Sequence, residues 1–254
     1  MALPRKWGCA AAFSSPRRSL CQNWLSPLLS LMMSGEPQRL SDQLMARLDF
    51  SQGIPLTQGY QAEVRRFDGS LTGWPSDLVI KAPSGRGLRR WLSRKGLQRE
   101  FAAYCRLGQM DGVPSCHGFS RSHRLILEAV EGRALSALSE RPSDAFYAAL
   151  LTRIQTMHER GVAHGDLKRK DNILITETGQ PVILDFGTAV LRPHGWNPLK
   201  QRLFDFLKQT DLNAWIKLKY GGYSDLDPAD QPLLQRGSLE RFASAMARAR
   251  RSKP

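Results

Sequence analysis

No apolar run in this chain approaches the roughly 18 to 20 residues that span a bilayer. The longest candidate, WLSPLLSLMM, has ten residues and contains a proline. That absence reads as a soluble, cytoplasmic protein. Cysteine is sparse too: Cys9, Cys21, Cys105 and Cys116 stand 12, 84 and 11 residues apart, which fits neither a C-x-x-C metal pattern nor a dense disulfide framework. Four free thiols in a reducing compartment is the simplest account. Acidic residues are outnumbered, 23 against 37 Lys and Arg, for a formal net charge of +14. Such a balance favours phosphate-rich partners, among them nucleic acid, nucleotides, anionic lipid headgroups and acidic proteins, and it equally describes a solvated basic surface. Internal repeats and extended low-complexity tracts are absent.

With 254 residues, 41% of them hydrophobic, the chain can bury a substantial core, as one two-lobed domain or two small ones. Residues 1–35 carry Arg5, Lys6, Arg17 and Arg18, no acidic residue and no sustained period. They are expected to lie outside the fold, as an over-extended start ahead of Met32 or Met33 or as an Arg- and Ser-rich transit segment. Residues 36–254 form the expected domain.

Within it, AEVRRF and DLVIKA read as strands joined by the turn-rich DGSLTGWPSD. Leu97, Phe101, Tyr104 and Cys105 then recur at helical spacing up to Gly108, and CHGF and RLILEAV read as strands again. Ser143 can cap a longer helix with Phe146, Leu150, Ile154 and Met157 on one face, and Gly161 supplies its left-handed end. NILIT and PVILDF follow as apolar runs joined by ETGQ, and the remainder alternates helical patterns with polar breaks before a basic terminal helix. The order predicts an α+β fold with a small β-rich lobe, about 50–128, and a mainly helical lobe, about 132–254.

Chemistry concentrates in HGDLKRKDNILI, residues 164–175, followed by VILDFGTA. These segments resemble the H-R-D-L-x-x-x-N catalytic loop and D-F-G metal segment of protein kinase-like phosphotransferases. Asn172 precedes Asp185 by thirteen residues, across one hairpin, a separation such enzymes commonly show. The resemblance implies a two-lobed protein kinase-like fold that uses ATP with Mg²⁺, or Mn²⁺ in its place. Phosphoryl transfer demands little covalent work of the protein, so positioning and charge neutralisation dominate. On that pattern Asp166 is the base that orients the acceptor hydroxyl, Asn172 and Asp185 are the oxygen ligands of the metal, and Lys168 offsets charge on the transferring group. His164 is read as structural.

Upstream, DLVIKA resembles the V-A-I-K strand and makes Lys81 the candidate contact to the α and β phosphates, with Glu100 its partner nineteen residues on. LTQGYQAEVRRF resembles the glycine-rich loop only in Gly59 and Val64; two of the usual three glycines are missing. LILEAVEGRAL resembles the connector between lobes, where Glu128 to Val130 offer backbone groups to adenine, Gly132 lets the chain turn and Leu127 lines the back of the pocket.

Three departures matter. Asn172 lies six residues after Asp166 rather than five, so Asp171 stands at the usual metal position and competes for the role. Gly165 replaces the arginine that answers a phosphorylated activation segment. No A-P-E segment follows DFGTAV. These features are similar to compact, atypical branches: RIO-type kinases, bacterial lipopolysaccharide core kinases and aminoglycoside or choline phosphotransferases. Arg86, Arg89, Arg90, Arg94, Lys95 and Arg99 crowd fourteen residues before Glu100 and disfavour a cationic acceptor. The acceptor expected is anionic: a protein Ser or Thr hydroxyl in an atypical bacterial-type kinase, or a lipopolysaccharide core sugar. Peripheral contact with an anionic membrane and contact with RNA fit the charge, and no stable oligomer is implied. A nucleotide-binding pseudokinase or RNA-associated scaffold is the alternative of another class. Asp205 and Asp211 are candidates to buttress the catalytic loop, against ordinary helix surface.

Overall fold

The computed structural model describes residues 42, 45, 48–58 and 62–235. The 1–35 segment, Gly59 and the basic terminal helix therefore lie outside the described residues.

Five antiparallel strands form the first sheet: β1 (Ile54–Gln58), β2 (Ala62–Phe67), β3 (Leu78–Pro83), β4 (Cys116–Phe119) and β5 (Leu125–Glu128), in the order β1-β2-β3-β5-β4. Alternation along β3 sets the two faces. Leu78 and Ile80 pack with Phe67 and Ile126 in one cluster, joined by Met45, Leu48, Phe50 and Trp74. Val79 and Lys81 take the other side, in register with Leu127 and Leu125. The link between β2 and β3, expected to be irregular, contains one helical turn, α1 (Gly69–Thr72), capped by Asp68 and ended by Gly73 at φ +68°. Helix α2 (Gly87–Leu107) runs 21 residues, longer than the periodic stretch from Leu97 suggested, because its first half is rich in arginine and its apolar residues Leu88, Trp91 and Leu92 lie on the exposed side rather than in line with the buried stripe. It buries Ser93, Leu97, Glu100, Tyr104 and Leu107, four and three residues apart, and stops at Gly108.

Beyond β5 the chain makes β6 (Arg133–Ala134), helix α3 (Asp144–Glu159), β7 (Val162–Ala163), β8 (Ile173–Ile175), β9 (Pro181–Ile183), β10 (Val190–Leu191) and helix α4 (Pro198–Tyr220). The Ser143 hydroxyl accepts from the Phe146 N–H at the start of α3, a cap of about 1 kcal/mol, and Gly161 sits at φ +77° just past its end. Gly132 is needed for close approach rather than for a turn: a Cβ there would lie 2.7 Å from the Ile175 carbonyl oxygen. The region after 197, expected to alternate helical patterns with polar breaks, is one 23-residue helix followed by largely irregular chain to 235. Asn197 caps α4, and the Trp215 indole N–H donates to the Tyr147 carbonyl at 2.8 Å, locking α4 against α3.

A single core joins both halves. Leu97 and Tyr104 of α2, Leu127 of β5, Leu150 and Ile154 of α3, Ile173 of β8, Phe186 and Trp215 all belong to it. The fold is α+β, with the β-rich and helical halves meeting at this cluster.

Candidate active site

Strand β3 and helix α2 place two opposite charges face to face. Lys81 Nζ donates to Glu100 Oε1 at 2.6 Å, and its distance to Asp185 Oδ1 is 3.5 Å. Glu100 is buried. Burial pushes its carboxyl above the ordinary 4.5, with Lys81 pulling the other way. Burial also works to lower Lys81, yet Glu100 and Asp185 outweigh it and hold the ammonium above the usual lysine range. For Asp185 burial works upward, but Lys81, the Gly187 N–H and His164 hold it below 3.8. Lys81 thus lies between two carboxylates, those of Glu100 and Asp185.

Asp185 occupies the left-handed region at φ +64° and ψ +75°, a conformation that Asp tolerates better than most non-glycine residues. Its neighbour Phe186 is wholly buried against Tyr104, with ring centroids 5.1 Å apart, and against His164 at 5.0 Å. This packing anchors the D-F-G turn to α2 and to the catalytic loop at once.

The β8–β9 hairpin brings Asn172 beside Asp185. Ile173 pairs with Ile183, and the Leu184 N–H donates to the Asn172 carbonyl at 2.8 Å. Asn172 is buried and its amide Nδ2 donates to the Asp166 carbonyl at 3.0 Å, which leaves its Oδ1 as an acceptor without a partner among the described residues. Asp171, the competitor, has its carboxylate engaged by the Ser136 hydroxyl.

The loop around Asp166 is held from three sides. Its N–H donates to His164 Nδ1 at 3.2 Å, so that ring donates from Nε2 to the Leu184 carbonyl at 2.8 Å. The Thr188 hydroxyl donates to the His164 carbonyl at 2.9 Å. Below, the fully buried Asp211 of α4 accepts from the N–H groups of His164 and Gly165, both at 2.8 Å, and bonds His158 Nε2 at 3.0 Å. Asp205 instead bonds Gln201 on the helix surface. With both backbone groups of Asp166 engaged, its partly exposed carboxylate has no partner among the described residues. Lys168 is exposed and also without a partner among the described residues.

Val64 lies opposite Lys81 in the β2–β3 register. Among the connector residues, the Glu128 N–H goes to the Ser115 carbonyl, its carboxylate accepts from the Ser115 N–H, and the Ala129 N–H goes to the Asp77 carbonyl. The Glu128 side chain is therefore tied to the sheet edge, and of the N–H groups of Glu128, Ala129 and Val130 the one without a partner among the described residues is that of Val130. Sequence reasoning did not single out Asp77, which also accepts from Arg66 and from the Gly69 N–H and so ties the connector to β2.

Among the described residues no three His, Cys, Asp or Glu side chains form a ready-made cation cage. One carboxylate and one amide oxygen suit Mg²⁺, which keeps waters and takes substrate phosphates as further ligands. The donor set therefore fits a phosphate-bound metal rather than a permanently held one.

The protein kinase domain family matches residues 113–201, a segment that contains Asp166, Asn172 and Asp185 but neither Lys81 nor Glu100. The sequence is 34% identical over 127 residues to serine/threonine-protein kinase HAL5 of Saccharomyces cerevisiae, covering 48% of this chain and 15% of that protein. It is 29% identical over 152 residues to death-associated protein kinase 2 of Homo sapiens, covering 54% of this chain and 40% of that protein. A crystal structure of the Rio2 kinase from Chaetomium thermophilum, an ADP/Mg²⁺-phosphoaspartate complex, superposes with a TM-score of 0.47 at 19% identity, covering 78% of this chain and 65% of that one. The matches thus span less than half the length of the two curated relatives.

Proposed function

We propose that this chain, which belongs to the protein kinase-like superfamily, moves the γ-phosphoryl group of ATP to a Ser or Thr hydroxyl of a protein. The observation that carries this reading is the unbroken chain of contacts from Glu100 through Lys81, Asp185, Leu184 and Asn172 to Asp166. Lys81, held by Glu100, takes the α and β phosphates; Val64 covers the base, and Val130 N–H with the Glu128 carbonyl meets its edge. Asp185 and the Asn172 Oδ1 would hold a divalent metal, Mg²⁺ or Mn²⁺, which would supply charge neutralisation of the phosphates.

Asp166, with its carboxylate unpaired, orients the acceptor hydroxyl and takes its proton as the acceptor oxygen bonds to the γ phosphorus and the bond to the ADP oxygen breaks. Lys168, exposed beside it, offsets the negative charge of the moving group.

The missing A-P-E segment leaves a sugar hydroxyl of a lipopolysaccharide core as the second acceptor, since such a substrate needs no peptide platform. Treating a cell lysate with the purified chain, Mg²⁺ and γ-labelled ATP, then comparing phosphopeptides with labelled glycolipid by mass spectrometry, separates the two. Label on Ser and Thr peptides is the expected result. Label confined to glycolipid transfers the assignment to a sugar acceptor. Thermal stabilisation by ATP with no label transfer or ATP hydrolysis replaces both with a scaffold.

A further inference from the structure

The outward face of α2 combines features that folding does not require. Leu88, Trp91 and Leu92 are 72, 53 and 55% exposed. Lys95 and Arg99 continue the same face, and Lys95 Nζ lies 5.9 Å from the centre of the Trp91 ring. Arg86 is exposed at the start of the helix, while Arg89 and Arg90 lie around the helix toward the buried side, Arg90 Nη1 donating to the Pro83 carbonyl at 3.3 Å. From Leu78 to Arg99 the chain has no acidic residue. Cations in a first helical turn oppose the helix dipole, so they do not serve the helix itself. The buried face of α2, with Ser93, Leu97, Glu100 and Tyr104, points the other way into the core.

We infer that this face of α2 docks on an anionic membrane surface. Leu88, Leu92 and the Trp91 ring enter the boundary between headgroups and acyl chains, the position that Trp favours, while Arg86, Lys95 and Arg99 lie against lipid phosphates and carboxylates. A nucleic-acid backbone rewards the cations but leaves Leu88 and Leu92 in water, and a neutral apolar groove rewards the leucines but leaves the arginines without counter-charge. An anionic bilayer meets both demands with one flat surface. Among the described residues no helix is long and apolar enough to cross a membrane, so the contact is interfacial. This inference does not rest on phosphotransfer, because binding is read without ATP.

Co-sedimentation of the full chain with phosphatidylcholine vesicles, with and without phosphatidylserine, tests it. The account expects at least tenfold tighter binding to the phosphatidylserine vesicles, falling steeply with added salt. It expects a tenfold loss in Trp91→Ser/Leu92→Ser, a similar loss in Arg86→Gln/Lys95→Gln/Arg99→Gln, and no change in Leu199→Ser/Phe206→Ser, which alters a second exposed apolar row on α4. All three replace exposed side chains, so unchanged Tm values are expected alongside. Equal binding by all variants, equal loss in the α4 variant, or retention by RNA homopolymer with none by vesicles overturns the docking surface.

Discussion

Lys81 Nζ stands 2.6 Å from Glu100 Oε1, with the carboxylate shut away from solvent and the ammonium largely so, and Lys81 is the main compensation for the hydration Glu100 has lost. Lys81→Met leaves Glu100 buried without a counter-charge, at an expected cost of about 3–5 kcal/mol near neutral pH. The cost depends on pH with a definite sign. Burial already raises Glu100 above 4.5 against the pull of Lys81, so removing that pull raises it further. A raised folded-state value gives stability that is fully present below the unfolded value of 4.5 and is lost as pH rises through the folded one. The deficit of the variant, measured by urea denaturation across mildly acidic to neutral pH, should therefore shrink toward acid. Adding Glu100→Leu should recover most of it at neutral pH, and a pH-independent deficit contradicts the assignment.

Wild type should show the opposite trend at the acid limit through Asp185. Lys81 and the Gly187 N–H overcome burial and hold its carboxyl below 3.8, so its stabilising contribution is present above 3.8 and lost as pH falls through the lower folded value. In Asp185→Asn the acid limb of the stability curve should flatten.

Asp211 carries the catalytic loop on two N–H bonds and a histidine contact. Asp211→Asn sets an amide donor against one of those N–H donors, and about 2–4 kcal/mol of stability should be lost together with most turnover. Hydrogen exchange at His164 and Gly165 is the direct readout; protection equal to wild type there contradicts the buttress.

Gly165 has φ +80°, and a Cβ there would lie 3.3 Å from Leu207. The missing arginine is thus a consequence of backbone geometry at this position. Gly165→Arg should cost at least about 1–2 kcal/mol and lower turnover, and a gain in activity on phosphorylation of the chain would contradict this view.

Burial pushes the Cys116 thiol up to about 12. Iodoacetamide near pH 8 should leave Cys116 unmodified in the native protein and label it in urea, as followed by peptide mass spectrometry.

Much of the architecture was legible. Strands β2 and β4 follow the β-leaning runs AEVRRF and CHGF residue for residue, because turn residues bound them. The proximity of Lys81, Glu100, Asp185 and Asn172 was legible from ordered motifs with constrained spacing. Other relationships were not. Asp205 and Asp211 sit on one helix in similar local sequence, and only the approach of α4 to the loop shows that Asp211 faces it and Asp205 does not. The commitment of Glu128 to Ser115 depends on strand pairing far along the chain, which no local pattern encodes. The long α4 read as helical patterns with polar breaks because its buried positions include the polar Asp211 and Asn213 while apolar Leu199, Leu203 and Phe206 are exposed, which blurs the apolar period.

The central claim is that the unpaired Asp166 carboxylate performs the chemical step while nucleotide is held elsewhere, by Lys81, Asn172 and Asp185. Single-turnover transfer from γ-labelled ATP, paired with calorimetric binding of ATP in Mg²⁺, tests it in Asp166→Ala against wild type. Transfer should fall by at least about 10³-fold with the Kd for ATP changed less than threefold. Turnover retained in Asp166→Ala, or ATP binding lost together with it, contradicts the account.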